Sequence, residues 1–258
     1  MDRKSFVIVG AMVAAASSIA SSASANNWSL TFTGLGPAKV VNVNYNHNRS
    51  FNAGTVSSYS SFWAGEMKWK NAQGKQFKTY CTQVNEHISN NQTITYQQVA
   101  LEQVPDSPPA PGPMGALKAT VLRDLYARFY HSVKSSGNDV QNAAFQCLVW
   151  EITHENVNAQ SAAGVLGQLN LNLGAFQLNA AGNATNVDVF SAANSMLAEL
   201  GGSNNDDFRF FSNGDNMRGL RHDTAQDQIL VVPIPAPVLM SAAGLLGLGL
   251  YVRRRSKA

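Results

Sequence analysis

The hydrophobic period changes twice along this chain, and the order of those changes limits the folds open to it. From Trp28 to Lys78, short stretches such as Trp28-Ser29-Leu30-Thr31-Phe32 and Val40-Val41-Asn42-Val43-Asn44-Tyr45 alternate between apolar and polar residues. They are separated by Asn, Gly and Ser, which predicts half-buried strands joined by turns. Phe62–Trp69 and Gln76–Val84 flank Asn71-Ala72-Gln73-Gly74, the pattern of a hairpin with Cys81 on its second strand. A proline-rich stretch from Pro105 to Pro113 then reads as a stiff extended loop. Beyond it the period becomes helical. Leu117, Val121, Leu125 and Phe129 recur every fourth residue. A turn at Ser135-Ser136-Gly137 leads to a second helix capped by Asn138 or Asp139, with Phe145, Leu148, Val149 and Ile152 as its apolar face. A third helix is expected over Val189–Leu200, ending at Gly201-Gly202, and 158–186 reads as loop with some helix. Strands return at Phe208–Phe211 and Gln228–Val232. Strands, helices, then strands predict an α+β fold: an antiparallel β-sandwich or barrel core (about 26–100 and 205–232) with a helical insert (about 114–202).

Both ends stand outside that pattern. Met1-Asp2-Arg3-Lys4, an apolar run from Phe6 to Ala16, and Ala23-Ser24-Ala25 have the layout of a secretory signal peptide, residues 1–25, with cleavage after Ala25. At the other end, Pro233, Pro235 and Pro237 precede an uncharged run from Val238 to Val252, and Arg253, Arg254, Arg255 and Lys257 follow it. An apolar segment with a basic flank predicts membrane insertion with the C-terminus inside, at about twenty residues the short end of what spans a bilayer. The prolines mark the border with the preceding domain.

This tail resembles the PEP-CTERM sorting signals, in the variant form that reads V-P-L-P-A; here the residues are Val232-Pro233-Ile234-Pro235-Ala236-Pro237. The resemblance covers residues 233–258 and implies an exosortase-type processing protease as a partner, passage through the membrane, and a Gram-negative envelope, outer surface or extracellular matrix as the destination.

The chain's formal charge of +3 belongs to its ends. Six of the 19 basic residues lie there, against one of the 16 acidic residues, so the intervening domain, 26–232, is near −2. Nucleic-acid binding has no electrostatic support in that balance. No spacing of Cys or His matches a metal site, and the EF-hand pattern is absent around Asp215, Asp223 and Asp227, which read as solvated turns. No metal and no cofactor are expected.

Only two cysteines occur, Cys81 and Cys147. In an exported chain an even count points to a disulfide, here closing a loop worth about 4 kcal/mol in the chain-entropy model. The surroundings of the two cysteines offer another reading. Tyr80-Cys81 on a strand and Phe145-Gln146-Cys147-Leu148-Val149-Trp150 on a helix resemble the paired motifs of the thioester domains of bacterial surface proteins. Trp63-Ala64-Gly65-Glu66 leading into the hairpin, and Trp150-Glu151-Ile152 after the glutamine, fit the same layout over about 61–155, and more loosely to Val232.

The resemblance implies a Cys81–Gln146 thioester, formed without an enzyme, that captures an amine on a protein or polymer partner and frees Cys81. Gln146 and Trp150 are one helical turn apart. Tyr80, Phe145 and Trp150 would then shield the thioester from water, though all three equally suit core positions. His154, two turns beyond Gln146, is placed either to assist proton transfer or to meet the helix dipole. Cys147 points about 100° away from Gln146 and suits a buried thiol.

The alternatives are a noncovalent envelope or biofilm-matrix protein with a Cys81–Cys147 disulfide, and a cysteine hydrolase pairing Cys81 with His87 or His154, for which no local signature is present. The expectation is a non-enzymatic adhesion module.

Overall fold

The computed structural model describes residues 26–106, 112–202 and 216–232. The expected signal peptide, sorting tail, strand at Phe208–Phe211 and Asp215 lie outside these residues, as does most of the proline-rich loop.

Seven strands form one antiparallel sheet: β1 (Asn27–Tyr45), β2 (Ser60–Asn71), β3 (Gln76–Cys81), β4 (Thr93–Ala100), β5 (Phe176–Leu178), β6 (Met217–Arg221) and β7 (Gln228–Val231). The order β2-β3-β7-β6-β4-β1-β5, with a further pairing of β1 to β2, closes six strands into a barrel and leaves β5 attached to β1. Closure satisfies the ladder bonds that open edges would expose. With the four α-helices among the described residues added, the fold is α+β around a sheet core.

The two stretches expected as separate strands, around Trp28 and Val41, are one strand of 19 residues. It serves several neighbours because its register with β2 shifts between Phe32 and Gly34 and again between Leu35 and Ala38. Its first five residues, Asn27–Thr31, pair with β4 and its last three with β5. Gly65 of β2 lies opposite Ala38 at the second shift, with φ +151°, and a Cβ there would run into the Pro37 carbonyl. Only glycine fits that crossing.

The hairpin forms as expected, with Met67–Lys70 on β2 facing Gln76–Thr79 on β3, but β3 ends at Cys81 rather than Val84. Barrel side chains interlock through aromatic edges. Trp69 meets Phe32 at 5.2 Å and Tyr96 at 5.6 Å between ring centroids. Burial of each such side chain contributes about 1.5–3 kcal/mol.

The helices are α1 (Gly115–Ser136), α2 (Asp139–His154), α3 (Ala162–Leu166) and α4 (Ala184–Glu199). Gly137 ends α1 in the left-handed region at φ 59°, and Asn138 caps α2 by accepting from the Gln141 N–H at 3.0 Å. Every residue of α2 from Asn142 to His154 is buried. It packs against β1, β2, β3 and β5 and touches α1 and α4. A helix enclosed on all sides needs apolar and internally satisfied polar residues around its whole circumference. The third expected helix begins earlier than its apolar pattern suggested, because Asn183 caps it by accepting from the Asn186 N–H. Among the described residues no helix is long and apolar enough to cross a membrane.

Candidate functional site

Strand β3 and helix α2 bring Cys81 and Gln146 together, although 65 positions separate them in the chain. The reason lies in the ladder. In an antiparallel pair successive residues direct their N–H and C=O groups alternately to either side. Thr82 gives its N–H to the Asp227 carbonyl next to β7, so Cys81 points its N–H and C=O the other way. There β2 has already left β3, whose last partner on it is Met67 opposite Thr79, and has turned to pair with β1.

The Gln146 carboxamide fills the vacant place like a peptide group. Its Oε1 accepts from the Cys81 N–H at 3.1 Å, and its Nε2 donates to the Cys81 carbonyl at 2.8 Å. This reciprocal pair also decides which amide atom is which. Gln146 is wholly buried and Cys81 nearly so.

Burial pushes the Cys81 thiol up to about 12, against smaller lowering influences from the Trp150 side chain and the backbone of Cys81 and Gln83. The thiol is therefore protonated at neutral pH. Among the described residues the Trp150 indole N–H has no oxygen or nitrogen partner; the Cys81 sulfur is the soft acceptor it approaches. Cys147 is fully buried, and its thiol is raised by burial and by the proximity of Cys81. Both cysteines are free: the disulfide expected from their even count is not formed.

The three expected shielding residues are all buried, on two sides of the pair. Tyr80 and Phe145 meet in a tilted pair at 4.7 Å between centroids, with Tyr126 of α1 edge-on to Phe145 at 4.9 Å. Trp150 packs toward Phe176 of β5 and forms part of a groove, about 390 Å³ in volume, that also reaches Cys81. Phe32, Phe62, Trp63 and Glu86 are among its other walls. Cys81 is thus covered from the core side and approachable from the groove.

His154 is not brought to the Cys–Gln pair by any hydrogen bond. Two turns along α2, a rise of about 12 Å, its ring packs on Tyr45 at 4.2 Å; among the described residues neither nitrogen has a hydrogen bond of full geometry, and the backbone of Thr82 is a polar group that bears on it. Burial, and then the Lys118 charge, lower its pKa to about 3, so the imidazole is neutral. It is a core side chain rather than a helix-end charge. The C-terminal carbonyl of Thr153 is served instead by Lys118 Nζ at 3.0 Å. His87, the other histidine considered, lines the groove with Cys81.

Sequence reasoning missed Asn142. One turn before Gln146, it accepts from the Tyr80 hydroxyl at 2.7 Å and donates to the carbonyls of Val133 and Asn138. The signal available was the four-residue spacing to Gln146. Asp227, read as a solvated turn residue, is fully buried: its carboxylate accepts from the His222 and Asp106 N–H groups. Among the described residues no group of three or more His, Cys, Asp or Glu side chains is placed to hold a metal ion.

No family model, curated protein or solved structure matches this chain.

Proposed function

We propose that this protein is a non-enzymatic covalent binding module in which Cys81 and Gln146 condense to an internal thioester that captures an amine. The reading is carried by one observation: the Gln146 carboxamide is clamped by two hydrogen bonds onto the backbone of the residue that bears the thiol.

In the forming step the Cys81 sulfur attacks the Gln146 side-chain carbonyl carbon. Charge developing on Oε1 falls where the Cys81 N–H already donates, the arrangement of an oxyanion hole. The C–N bond then breaks, the nitrogen leaves as ammonia, and the thiol proton completes it. The thiolate is the nucleophile, so the proton that burial holds on Cys81 must leave the sulfur as the C–S bond forms, and it ends on the departing nitrogen. In the capture step an amine attacks the same carbon, the C–S bond breaks, and Cys81 regains a proton. Exclusion of water by Tyr80, Phe145 and Trp150 limits hydrolysis.

Its partner is an amine-bearing protein or polymer. Together with the resemblance of the two ends to export and sorting signals, this gives an adhesive role at the surface or in the matrix of a Gram-negative cell, after processing by an exosortase-type protease.

Intact mass of the exported domain, purified without reductant before and after methylamine, is the test. The expected result is a chain lighter by one ammonia, restored by a methylamine adduct on Gln146, with both changes abolished in Cys81→Ala. Loss of two hydrogens with a linked Cys81–Cys147 peptide would overturn the proposal in favour of a disulfide-stapled structural protein. An unmodified mass with no adduct would overturn it as well.

A further inference from the structure

The groove beside Cys81 contains an acidic group that the steps above leave without a role. Glu86, in the segment between β3 and β4, lines the groove with Cys81 and Trp150. Its Oε2 is shielded from solvent and has no hydrogen-bond partner among the described residues. No Lys or Arg is among the described residues lining the groove. The charged and titratable groups that bear on Glu86 electrostatically are Asp106, Asp227 and Tyr96, and His87 adjoins it in the chain and also lines the groove.

An unpaired carboxylate oxygen in such a place is a site for a cation. Much of the remaining wall is apolar and aromatic (Phe32, Leu35, Phe62, Trp63, Trp150), with Ser61, Asn90 and Gln226 as neutral polar members, and Trp63 is 61% exposed among them. Alkyl chain against aromatic ring and ammonium against carboxylate describe the lysine side chain and similar primary alkylammonium groups.

We infer that Glu86 binds the ammonium group of the incoming amine in this groove and accepts its proton before attack. The inference rests on the thioester reading, and it addresses a problem that reading creates. At neutral pH an alkylamine is almost wholly protonated and has no lone pair with which to attack. Glu86 takes one proton from the ammonium, and the neutral amine attacks the Gln146 acyl carbon. As the C–S bond breaks, the second proton leaves the nitrogen for the Cys81 sulfur. Glu86 then returns its proton to solvent. Desolvation, and the Asp106 charge, raise the Glu86 pKa, which makes it a better base than an exposed carboxylate.

The experiment compares the rates at which intact protein takes up methylamine and hydroxylamine near neutral pH, followed by mass. Hydroxylamine is already unprotonated there and needs no base. Glu86→Gln is expected to slow methylamine by about 100-fold while leaving the hydroxylamine rate within about twofold. Glu86→Asp is expected to fall between wild type and Glu86→Gln. If Glu86→Gln does not build the thioester, Glu86→Asp carries the comparison, with methylamine slowed and hydroxylamine not. Equal methylamine rates in wild type and variant, with the thioester intact, overturn the role of Glu86 alone. So does a selective methylamine loss in His87→Gln that Glu86→Gln does not share. A wild-type chain that never loses ammonia overturns the thioester reading and this inference together.

Discussion

The Gln146 carboxamide satisfies two backbone groups of Cys81 that β7 does not reach, so its removal has a structural cost separate from any chemistry. That cost is measurable where no thioester can form. In a Cys81→Ala background, Gln146→Ala should lower stability by about 2–4 kcal/mol, because a buried N–H and C=O both lose their partner. Denaturant unfolding of the single and double variants gives the number. A difference under about 0.5 kcal/mol would mean that the backbone pair is satisfied in another way. His154 invites the opposite experiment. Its ring is buried and neutral, with the Thr82 backbone bearing on it and no hydrogen bond of full geometry among the described residues, so His154→Leu should leave methylamine uptake unchanged and stability within about 1 kcal/mol of wild type. A loss of uptake in that variant would restore the proton-transfer role its helical spacing suggested. Spacing was informative for Gln146 and Trp150 but could not distinguish a ring turned toward Cys81 from one packed on Tyr45. Asn142 was legible only through its four-residue spacing to Gln146, one of several polar residues on α2, since its value depends on the Tyr80 hydroxyl from another element.

Helix α2 positions Gln146, and its start is fixed by a single side chain. Asn138→Ala removes the acceptor for the Gln141 N–H and should cost about 1 kcal/mol, with Asn138→Gly costing less. Thermal unfolding of the two variants tests the order. Elements of this kind, with a cap residue and a sustained helical period, were readable before any coordinates: α1, α2 and the β2–β3 hairpin lie close to where the residue pattern put them. Strands β5 and β6 were not readable. Phe176–Leu178 has three residues, too few to display a period, and is a strand only because Val43–Tyr45 of β1 lies beside it. Met217–Arg221 carries two arginines and a glycine, and gains its strand character from β4 and β7 on either side. The merger of two apparent strands into β1 was hidden for a related reason: register shifts opposite β2 keep the backbone paired while the alternation lapses.

For the whole molecule, Asp227 ties together segments far apart in the chain. Its carboxylate holds the backbones of Asp106 and His222, and its own N–H reaches Gln83 Oε1 at 2.6 Å, beside Cys81. Burial raises its pKa to about 7, against lowering by those two backbone donors. Because the folded value lies above the unfolded one, the folded state holds the proton more tightly. The resulting stability is fully present below about pH 4 and is lost as the pH rises through about 7. Asp227→Asn, which cannot ionise, should remove that contribution to the pH slope, on the order of 4 kcal/mol across the window. Parallel slopes for wild type and variant in pH-dependent unfolding would count against it. The enclosure of α2 has a mechanical consequence at the same scale. A captured partner would hang from Gln146, while Cys81 is released from the joint. Traction on the tether would therefore enter the molecule midway along its most enclosed helix, flanked by barrel strands and two other helices, rather than at a loop that can peel away. Such an attachment yields by wrenching the interior apart, not by unzipping from an end, and that favours a grip that outlasts brief pulls.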